Sequence, residues 1–466
     1  MIRLFKHYFP MLLLLLAAVE LLIFYFSMFA GVALRYAWGD IAQYQPLGLI
    51  STKSFLFTAV MFGIMTIFGL HSRGIEQQGV WEEVVRFVAS FVVGLVVMLL
   101  IFYIFPSFHL GRGAFGIGFL IAMATTALFR FVFFRVFELD ALRRRVLLLG
   151  SGSRSAKIEE LERDERGDRK FNLVGCLPLG NPDCRLKNTP VIKDEGSILS
   201  IAKKYKIDEI VVGVRDRRGG GIPTNQLLEC KLAGIEVLDL SSFFERETGK
   251  IQIESLNPSW MIFSDGFQRG SIKDISKQTF DVATSIVLLL ITLPVMLVTA
   301  LLIWLESGSP VYYRQNRVGE YGRVFQVLKF RSMRQDAEPD GVPRWAKERD
   351  ERVTRVGKVI RKLRIDELLQ VFNILKGDMS FVGPRPERPY FVEELTRKIP
   401  YYPSRHTVKP GITGWAQIRY SYGATVEDAM QKLQYDLYYV KNHTLFLDLI
   451  ILFQTAQVIL FGRGAR

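Results

Sequence analysis

Cysteine is scarce in this sequence of 466 residues, which contains only Cys176, Cys184 and Cys230. Three cysteines cannot form a complete disulfide framework, and their spacing is not that of a zinc site. The sequence therefore favours reduced thiols in the cytoplasm over a secreted fold that is held together by disulfides.

Acidic residues are also in the minority, at 46 against 60 lysines and arginines, which gives a formal net charge of +14. Such a balance suits nucleic acid, anionic lipid or phosphorylated substrates. The chain has no recognised nucleic-acid motif, and its basic residues cluster near apolar stretches, so we expect no nucleic-acid partner. Hydrophobic residues are abundant, at 49% with 35 Phe, which indicates a membrane protein with a sizeable soluble part.

Four long apolar stretches lie in the N-terminal part of the chain, at residues 11–34, about 50–70, 85–105 and 114–135. Each is about long enough to cross a bilayer as a helix. Basic residues flank the first and the fourth stretch, which places both flanks in the cytoplasm. The sequence therefore predicts a four-helix transmembrane region over residues 1–140 and argues against a cleavable signal peptide.

Three charged residues fall within or near these stretches, namely Glu20, Lys53 and Arg130. Lys53 and Arg130 are close enough to the ends for their side chains to reach the interface. Glu20 lies deeper, and we expect it to be paired inside the bundle.

Residues 141–265 alternate between strand and helix patterns, which predicts a parallel α/β sheet and a Rossmann-like domain. Val146–Leu149, Ile210–Arg215 and Ile235–Leu240 have the composition of buried strands. Helices are expected from about Ser155 and around residues 223–233.

The first of these strands runs into Gly150-Ser151-Gly152, a dinucleotide-binding fingerprint in which Ser155 replaces the third glycine. No convincing ribose-binding acid follows at the next strand tip, and the region has no Tyr-x-x-x-Lys pair. One alternative is an NAD-dependent enzyme that modifies nucleotide-sugars, but these absences argue against it. A domain with a structural, oligomeric or regulatory role is favoured over it.

A fifth apolar run, Val282–Leu305, follows Lys273 and Lys277 and contains Pro294 near its middle. A spanning helix here would place the basic residues after it on the outer side, against the charge rule. Pro294 removes one helical hydrogen bond. A helix that bends at Pro294 and returns to the same face is therefore as well supported by physics as a kinked spanning helix.

The segment Arg361–Glu387 combines basic residues, two adjacent acids and a short apolar helix pattern. Asp366 and Glu367 stand where this helix is expected to begin, and Gly377 where it should end. The helix dipole and the upstream cations, Arg361 among them, are expected to keep Asp366 ionised. Such a carboxylate can attack phosphorus, or hold a divalent cation that bridges phosphates.

Prolines at 384 and 386 fix the backbone on both sides of Arg385, which makes this arginine a candidate phosphate clamp. Upstream, the short strands Val311–Arg314 and Val324–Lys329 flank a glycine-containing turn. Four cations of this region could surround a diphosphate, namely Arg314, Arg317, Lys329 and Arg331. The alternative is that they form a solvated basic hairpin without a ligand.

The run DELLQ-x-x-N-x-L-x-G-D-M-S-x-V-G-P-R-P, from Asp366 to Pro386, resembles the signature of the bacterial sugar transferases, the monotopic polyprenyl-phosphate phosphoglycosyl transferases. Further resemblance lies in Q-N-R-x-G, K-F-R-S-M, VKPGITGWAQI (residues 408–418) and D-x-Y-Y-V-x-N (residues 436–442). Large members of this family carry a four-helix and Rossmann-like extension before the catalytic unit.

The resemblance implies a catalytic α/β domain over residues 270–466 with a re-entrant membrane helix at 279–305, bent at Pro294. This chain departs from the family pattern at Gln278, where the family has Arg, and at Leu293, where it has Ser. The serine hydroxyl would help to satisfy a freed carbonyl, and Thr292 could do so instead.

The resemblance also implies an activity, the transfer of sugar-1-phosphate from a UDP-sugar to undecaprenyl phosphate with release of UMP. This would be the first membrane step of exopolysaccharide or related glycan assembly, at the cytoplasmic face of the bacterial inner membrane. Asp366 would attack the β-phosphorus and also bind Mg²⁺, and Glu367 would support metal or proton handling. Another alternative is that the protein is an inactive membrane scaffold. The sequence does not decide whether the protein forms a homodimer.

Seven residues are candidates for substrate contacts: Arg317, Lys329, Arg331, Arg361, Arg385, Lys409 and Gln417. The sequence does not decide whether Trp415 contacts the nucleotide or sugar or is packed in the core. Leu445–Phe461 is apolar and rather short, and we expect it to lie in the membrane interface.

Overall fold

The computed structural model describes residues 2–4, 7–9, 11–36, 47–71, 80–136, 143–162, 171–178, 186–193, 196–213, 223–253, 267, 270–334, 352–420, 423 and 425–461. The chain forms two compact units, one made of most of residues 1–248 and the other mainly of residues 249–466. Residues 249–253 belong to the second unit because Ile251 and Ile253 lie in its hydrophobic core.

The chain begins with two short strands, β1 (Ile2–Leu4) and β2 (His7–Phe9), and continues with apolar helices. These are α1 (Met11–Tyr36), α2 (Leu47–Ile67), α3 (Val80–Ile104) and α4 (Arg112–Val136). Each coincides with a predicted apolar stretch and is long and apolar enough to cross a membrane. The apolar helices mark the chain as a membrane protein.

Close contact between α1 and α4 depends on two glycines. A Cβ on Gly31 would lie 2.5 Å from the backbone nitrogen of Gly118, so neither position has room for a side chain. Small residues of this kind allow membrane helices to approach closely. Around this contact, the core of the bundle combines aromatic and aliphatic residues, with Phe24, Phe57 and Phe91 among them.

The prediction that Glu20 is paired inside the bundle is confirmed. Its carboxylate accepts a hydrogen bond of 2.6 Å from Arg130 Nε and lies 2.6 Å from His71 Nε2. The prediction for Arg130 was wrong, because this residue is buried and also donates to the carbonyl of Leu70. Lys53 does reach the loop between α3 and α4, where it donates to the carbonyl of His109.

An α/β region follows in the same unit. Its elements are β3 (Arg145–Leu149), α5 (Ser153–Glu162), β4 (Asn172–Leu177), α6 (Ile198–Lys204), β5 (Glu209–Val212), α7 (Thr224–Leu232), β6 (Glu236–Asp239) and α8 (Leu240–Thr248). The strands form a parallel sheet in the order β4-β3-β5-β6. Strand β4 was not predicted from the sequence, and the predicted end of the second strand, at Arg215, lies outside the described residues.

The incomplete glycine fingerprint after β3 has a packing explanation. Ser155 is fully buried, and a Cβ on Gly213 would lie 2.4 Å from its hydroxyl oxygen. The third glycine of the fingerprint normally allows the helix to pack closely against the strand. Here Gly213, on the strand side, allows this close packing instead.

The first elements of the second unit are the long helix α9 (Ser271–Ser307) and a hairpin of β7 (Tyr312–Val318) and β8 (Val324–Phe330). The other elements are α10 (Arg355–Lys362), α11 (Gln370–Lys376), β9 (Ser380–Val382), α12 (Pro389–Lys398), β10 (Gly411–Thr413), α13 (Trp415–Arg419), α14 (Val426–Asn442) and α15 (Leu445–Phe461). Strands β9 and β10 pair in parallel. Leu447 and Ile451 of α15 are fully buried in the core of this unit.

Helix α9 continues through Pro294, and residues near both of its ends are bonded to the rest of the second unit. Near the start, Lys277 Nζ lies 2.6 Å from Asp448 Oδ2. At the end, Glu306 accepts hydrogen bonds from the backbone nitrogens of Arg355 and Val356, at 2.8 and 3.0 Å.

The middle of α9 is exposed and apolar. Leu290 and Ile291, for example, are 69% and 70% exposed. The carbonyl that loses its helical donor at Pro294 is that of Leu290. Thr292 does not compensate for this loss, because its hydroxyl donates to the carbonyl of Leu288.

Candidate active site

Two adjacent carboxylates, on the 3-10 turn Ile365–Glu367, form the centre of the candidate site. The sequence placed them at the start of a helix, whereas α11 begins only at Gln370. The helix does end where predicted, because Gly377 has a φ of +88°, a conformation that favours glycine. Arg364, just before the turn, also has a positive φ of 58°. A non-glycine residue in this region indicates local strain, of a kind that clusters at active sites.

Glu367 is held by two cations from different parts of the unit. Lys329 Nζ, near the end of β8, lies 2.8 Å from Glu367 Oε1, and Arg385 Nη2 lies 3.4 Å from the same oxygen. Burial raises the pKa of Glu367, but Arg385 and Lys329 outweigh this effect and lower it to about 2. A carboxylate with so low a pKa stays ionised near neutrality, which argues against the proton handling expected for Glu367.

Asp366 differs from its neighbour because its carboxylate has no hydrogen bond or ion pair among the described residues. It is 9% exposed. Burial and the charge of Glu367 raise the pKa of Asp366, against the lowering effect of Lys329, Arg361 and Arg364. The sequence shows the cations near Asp366 but not the burial that opposes them, so it did not indicate the direction of this pKa shift.

The loop that carries Arg385 is fixed by two further arginines. Arg405 Nη2 donates to the carbonyl of Arg385 at 3.0 Å, and Arg317 Nη1 donates to the carbonyl of Pro386 at 3.0 Å. Arg405 is buried, and its Nη2 also lies 2.8 Å from Asp436 Oδ2 on α14. The sequence analysis assigned no role to Arg405 or Asp436, although Asp436 begins the D-x-Y-Y-V-x-N motif.

The remaining predicted substrate contacts lie in different surroundings. Arg361 contributes positive charge at Asp366, as expected. Lys409 lies near the end of α11, since a Cβ on Gly377 would be 3.8 Å from its Nζ. The side-chain nitrogen of Gln417 donates to the carbonyl of Ile412 at 3.1 Å, which holds this side chain within its own turn.

Two of the candidates have structural partners. Arg331 is buried, and its Nη2 donates to the carbonyls of Ser307 and Gly308 at 2.8 and 2.6 Å. These bonds satisfy carbonyls at the end of α9 and give Arg331 a structural role, whereas the diphosphate contact expected of it stays a prediction. Trp415 is 2% exposed and donates to the carbonyl of Gly249 at 2.7 Å, so it belongs to the core.

The described residues thus define a membrane protein whose second unit has an α/β fold and carries a site suited to phosphate chemistry. The family model for Bacterial sugar transferase matches residues 272–462, and the chain belongs to this family. The matched region contains the whole of the candidate active site.

Three relatives illustrate the similarity. The chain is 44% identical over 261 residues, which are 56% of its length, to UDP-N-acetylgalactosamine-undecaprenyl-phosphate N-acetylgalactosaminephosphotransferase of Aeromonas hydrophila. It is 32% identical over 335 residues, or 70% of its length, to undecaprenyl-phosphate glucose phosphotransferase of Komagataeibacter xylinus. It is 41% identical over 191 residues, or 40% of its length, to UDP-glucose:undecaprenyl-phosphate glucose-1-phosphate transferase of Caulobacter vibrioides. The matched regions span 61%, 60% and 70% of these relatives' own lengths.

Proposed function

We propose that the protein transfers sugar-1-phosphate from a UDP-sugar to a polyprenyl phosphate such as undecaprenyl phosphate, in the first membrane step of exopolysaccharide or related glycan assembly. The observation that carries this proposal is the contrast between the two acids of the site. Glu367 is occupied by Lys329 and Arg385, whereas the carboxylate of Asp366, which has the same 9% exposure, makes no hydrogen bond or ion pair among the described residues. Asp366 is thus the acid available to react.

In the proposed reaction, a carboxylate oxygen of Asp366 attacks the β-phosphorus of the donor. The bond between this phosphorus and the oxygen that bridges it to the α-phosphate breaks, and UMP leaves. An oxygen of the acceptor phosphate then attacks the phosphorus of the aspartyl intermediate, which yields polyprenyl-diphosphate-sugar and regenerates Asp366. Lys329, Arg361 and Arg385 offset negative charge at the reacting phosphates, and Glu367 fixes two of these three cations.

The site also fits Mg²⁺, which is part of the proposal. Magnesium is usually bound by one or two carboxylates together with substrate phosphates and water, and Asp366 can supply one such oxygen. Among the described residues, no group of three or more His, Cys, Asp or Glu could hold a metal without substrate. When bound, the ion would neutralise charge on the donor diphosphate.

The pH dependence of turnover should report the charges around Asp366. Asp366 must be ionised to attack, so activity should fall as the pH drops through its pKa, which is raised. Glu367→Gln removes a charge that raises this pKa and should move the acid limb of the rate profile to lower pH. Lys329→Met removes a charge that lowers it and should move the limb to higher pH.

The measurement is kcat/KM for the residual activity of each variant between pH 5 and 9, with Glu394→Gln as the control. Glu394 is an exposed acid paired with Lys398 on α12, and its variant should follow the wild-type profile. Shifts of Glu367→Gln and Lys329→Met in the same direction would contradict the assignment of the acid limb to Asp366.

The proposal places the protein in the bacterial inner membrane, where α1 to α4 span the bilayer and the active site faces the cytoplasm. A Rossmann-like domain follows the bundle in the sequence and precedes the catalytic domain. Helix α9 enters the membrane and returns to the same face, which is supported by the bonds near both of its ends. In a straight helix, Lys277 and Glu306 would lie about 44 Å apart along the axis, yet both bond to this one unit. The exposed apolar residues between them would meet lipid.

Cysteine labelling in spheroplasts would test this arrangement. In a chain whose native cysteines are replaced by serine, Lys273→Cys and Arg323→Cys lie on either side of the apolar part of α9. Both should resist a membrane-impermeant maleimide until the membrane is permeabilised. Ser107→Cys, between α3 and α4, should react at once and serves as the control. Labelling of only one of the first two cysteines in intact spheroplasts would mean that α9 spans the membrane.

The proposed function itself is tested by the nucleotide that purified protein releases from a UDP-sugar in the presence of Mg²⁺ and undecaprenyl phosphate. The relatives are named for N-acetylgalactosamine and glucose, so both UDP-sugars are suitable donors. Release of UMP that depends on the lipid supports the proposal. Release of UDP would indicate ordinary glycosyl transfer and would overturn it.

A further inference from the structure

An open cleft of about 460 Å³ lies beside the loop that carries Arg385. Its walls come from β7, from β8 and from the first residues of α12. The residues that line it include Tyr313, Arg314, Asn316, Gln326, Arg388 and Tyr390. The volume lies within the range of sites for small molecules.

The lining of this cleft favours a particular kind of ligand. It combines two guanidinium groups, two phenol rings and three side-chain amides, and contains no carboxylate. Guanidinium groups bind phosphate, aromatic rings stack on flat bases, and amides pair with the donors and acceptors of base edges. A ligand that is anionic, planar and rich in hydrogen-bonding groups, such as a nucleotide, matches all three.

Neighbouring contacts give one wall of the cleft a defined shape. Gln315 donates to the hydroxyl of Tyr313 at 3.3 Å and accepts from Arg317 Nε at 3.0 Å. Arg317 in turn holds the carbonyl of Pro386. The wall formed by β7 is therefore connected through hydrogen bonds to the loop that presents Arg385.

The position of the cleft relates it to the reacting acid. Arg388 follows Arg385 by three residues, so their Cα atoms are at most about 11 Å apart. Arg385 contacts Glu367, the neighbour of Asp366. We propose that the cleft binds the nucleoside end of the donor, with the diphosphate directed along this loop towards Asp366. This inference rests on the proposed function, because it assigns one part of the donor to one part of the same site.

The same phosphate chemistry could come from the lipid acceptor, but the lining argues for the donor. The cleft has no leucine, isoleucine or valine among its lining residues, so it offers no aliphatic surface to a polyprenyl chain. Tyr313 and Tyr390 are 44% and 59% exposed, and their rings can stack on a base without any rearrangement of the core.

Equilibrium binding of UDP to the full-length protein tests the proposal without any requirement for turnover. In an Asp366→Asn background, titration calorimetry compares three further substitutions, Arg314→Gln, Arg388→Gln and Tyr390→Ala. We expect each to raise the Kd for UDP about tenfold or more. Arg397→Gln is the matched control, because Arg397 is an exposed arginine on the same helix and pairs with Glu393. It should leave the Kd unchanged.

Kinetics with Asp366 intact distinguish the two phosphate sources. We expect the same three substitutions to raise the KM for the UDP-sugar and to leave the KM for undecaprenyl phosphate unchanged. A raised KM for the lipid alone would assign the cleft to the acceptor and overturn the proposal. UDP binding that is unchanged in all three variants, with unchanged melting temperatures, would overturn it as well.

The binding assay keeps this inference separate from the proposed function. If the wild-type protein binds UDP through the cleft but releases no UMP, the cleft is a nucleotide site and the proposed transfer is wrong. If UMP is released and the three variants bind UDP normally, the transfer stands and the nucleoside lies elsewhere.

Discussion

Asp366→Asn should abolish turnover, with kcat reduced by at least about 10⁴-fold, as when other enzymes lose a nucleophile. The amide cannot form the aspartyl intermediate, although it occupies almost the same volume. The carboxylate of Asp366 makes no hydrogen bond or ion pair among the described residues, so its replacement should not break the turn that carries it. The measurement is UMP release from a UDP-sugar and undecaprenyl phosphate.

Glu393→Gln is the matched control for this variant. Glu393 is an exposed acid on α12, paired with Arg397 four residues later, and its loss should leave kcat within a factor of two. If a folded Asp366→Asn protein, free of wild-type contamination, kept a tenth of the wild-type kcat, Asp366 could not be the nucleophile.

Arg405→Met should be the most destabilising single change near the site, at about 3–5 kcal/mol. Arg405 and Asp436 are both buried, and their charged atoms are 2.8 Å apart. Removal of the arginine leaves the Asp436 carboxylate buried without its main counter-charge. Asp436→Leu should be destabilising for the reciprocal reason, and both changes are measurable by thermal unfolding of the solubilised full-length protein.

The double variant Arg405→Met/Asp436→Leu provides the sharper test, because an apolar pair can replace a buried ion pair without a large loss. We expect it to melt above either single variant. Its kcat should nevertheless stay low, because the hydrogen bond from Arg405 to the carbonyl of Arg385 is lost. Single variants that are no less stable than Arg397→Met, which breaks an exposed pair, would show that the Arg405–Asp436 contact adds no stability.

Sequence patterns predicted several elements well because their causes are local. Helices α1 to α4 follow from the length of the apolar stretches, and the strand β3 follows from a short run of apolar residues. The end of α11 follows from Gly377, since only glycine adopts a positive φ without steric cost. Strand β4 was missed because its sequence, NLVGCL, is short and interrupted by glycine, and its pairing with β3 is a long-range contact.

The candidate site was predicted only in part, for a similar reason. Asp366, Glu367 and Arg385 share one continuous motif, so their proximity could be expected from the sequence. Lys329 was expected at the phosphates, and the structure shows its ammonium bound to Glu367. Arg331 carries the same charge two residues later, yet it bonds the end of α9, because the fold brings this helix end to its side chain.

The sequence by itself determined the apolar helices and the acid pair with its family signature, because these depend on residue type and spacing. The tertiary structure decided which acid is occupied and which is available, since Lys329 comes from a distant strand. It also decided the raised pKa of Asp366, the partners of Arg405 and the burial of Trp415. Burial and long-range contacts depend on the whole fold, and no local pattern specifies them.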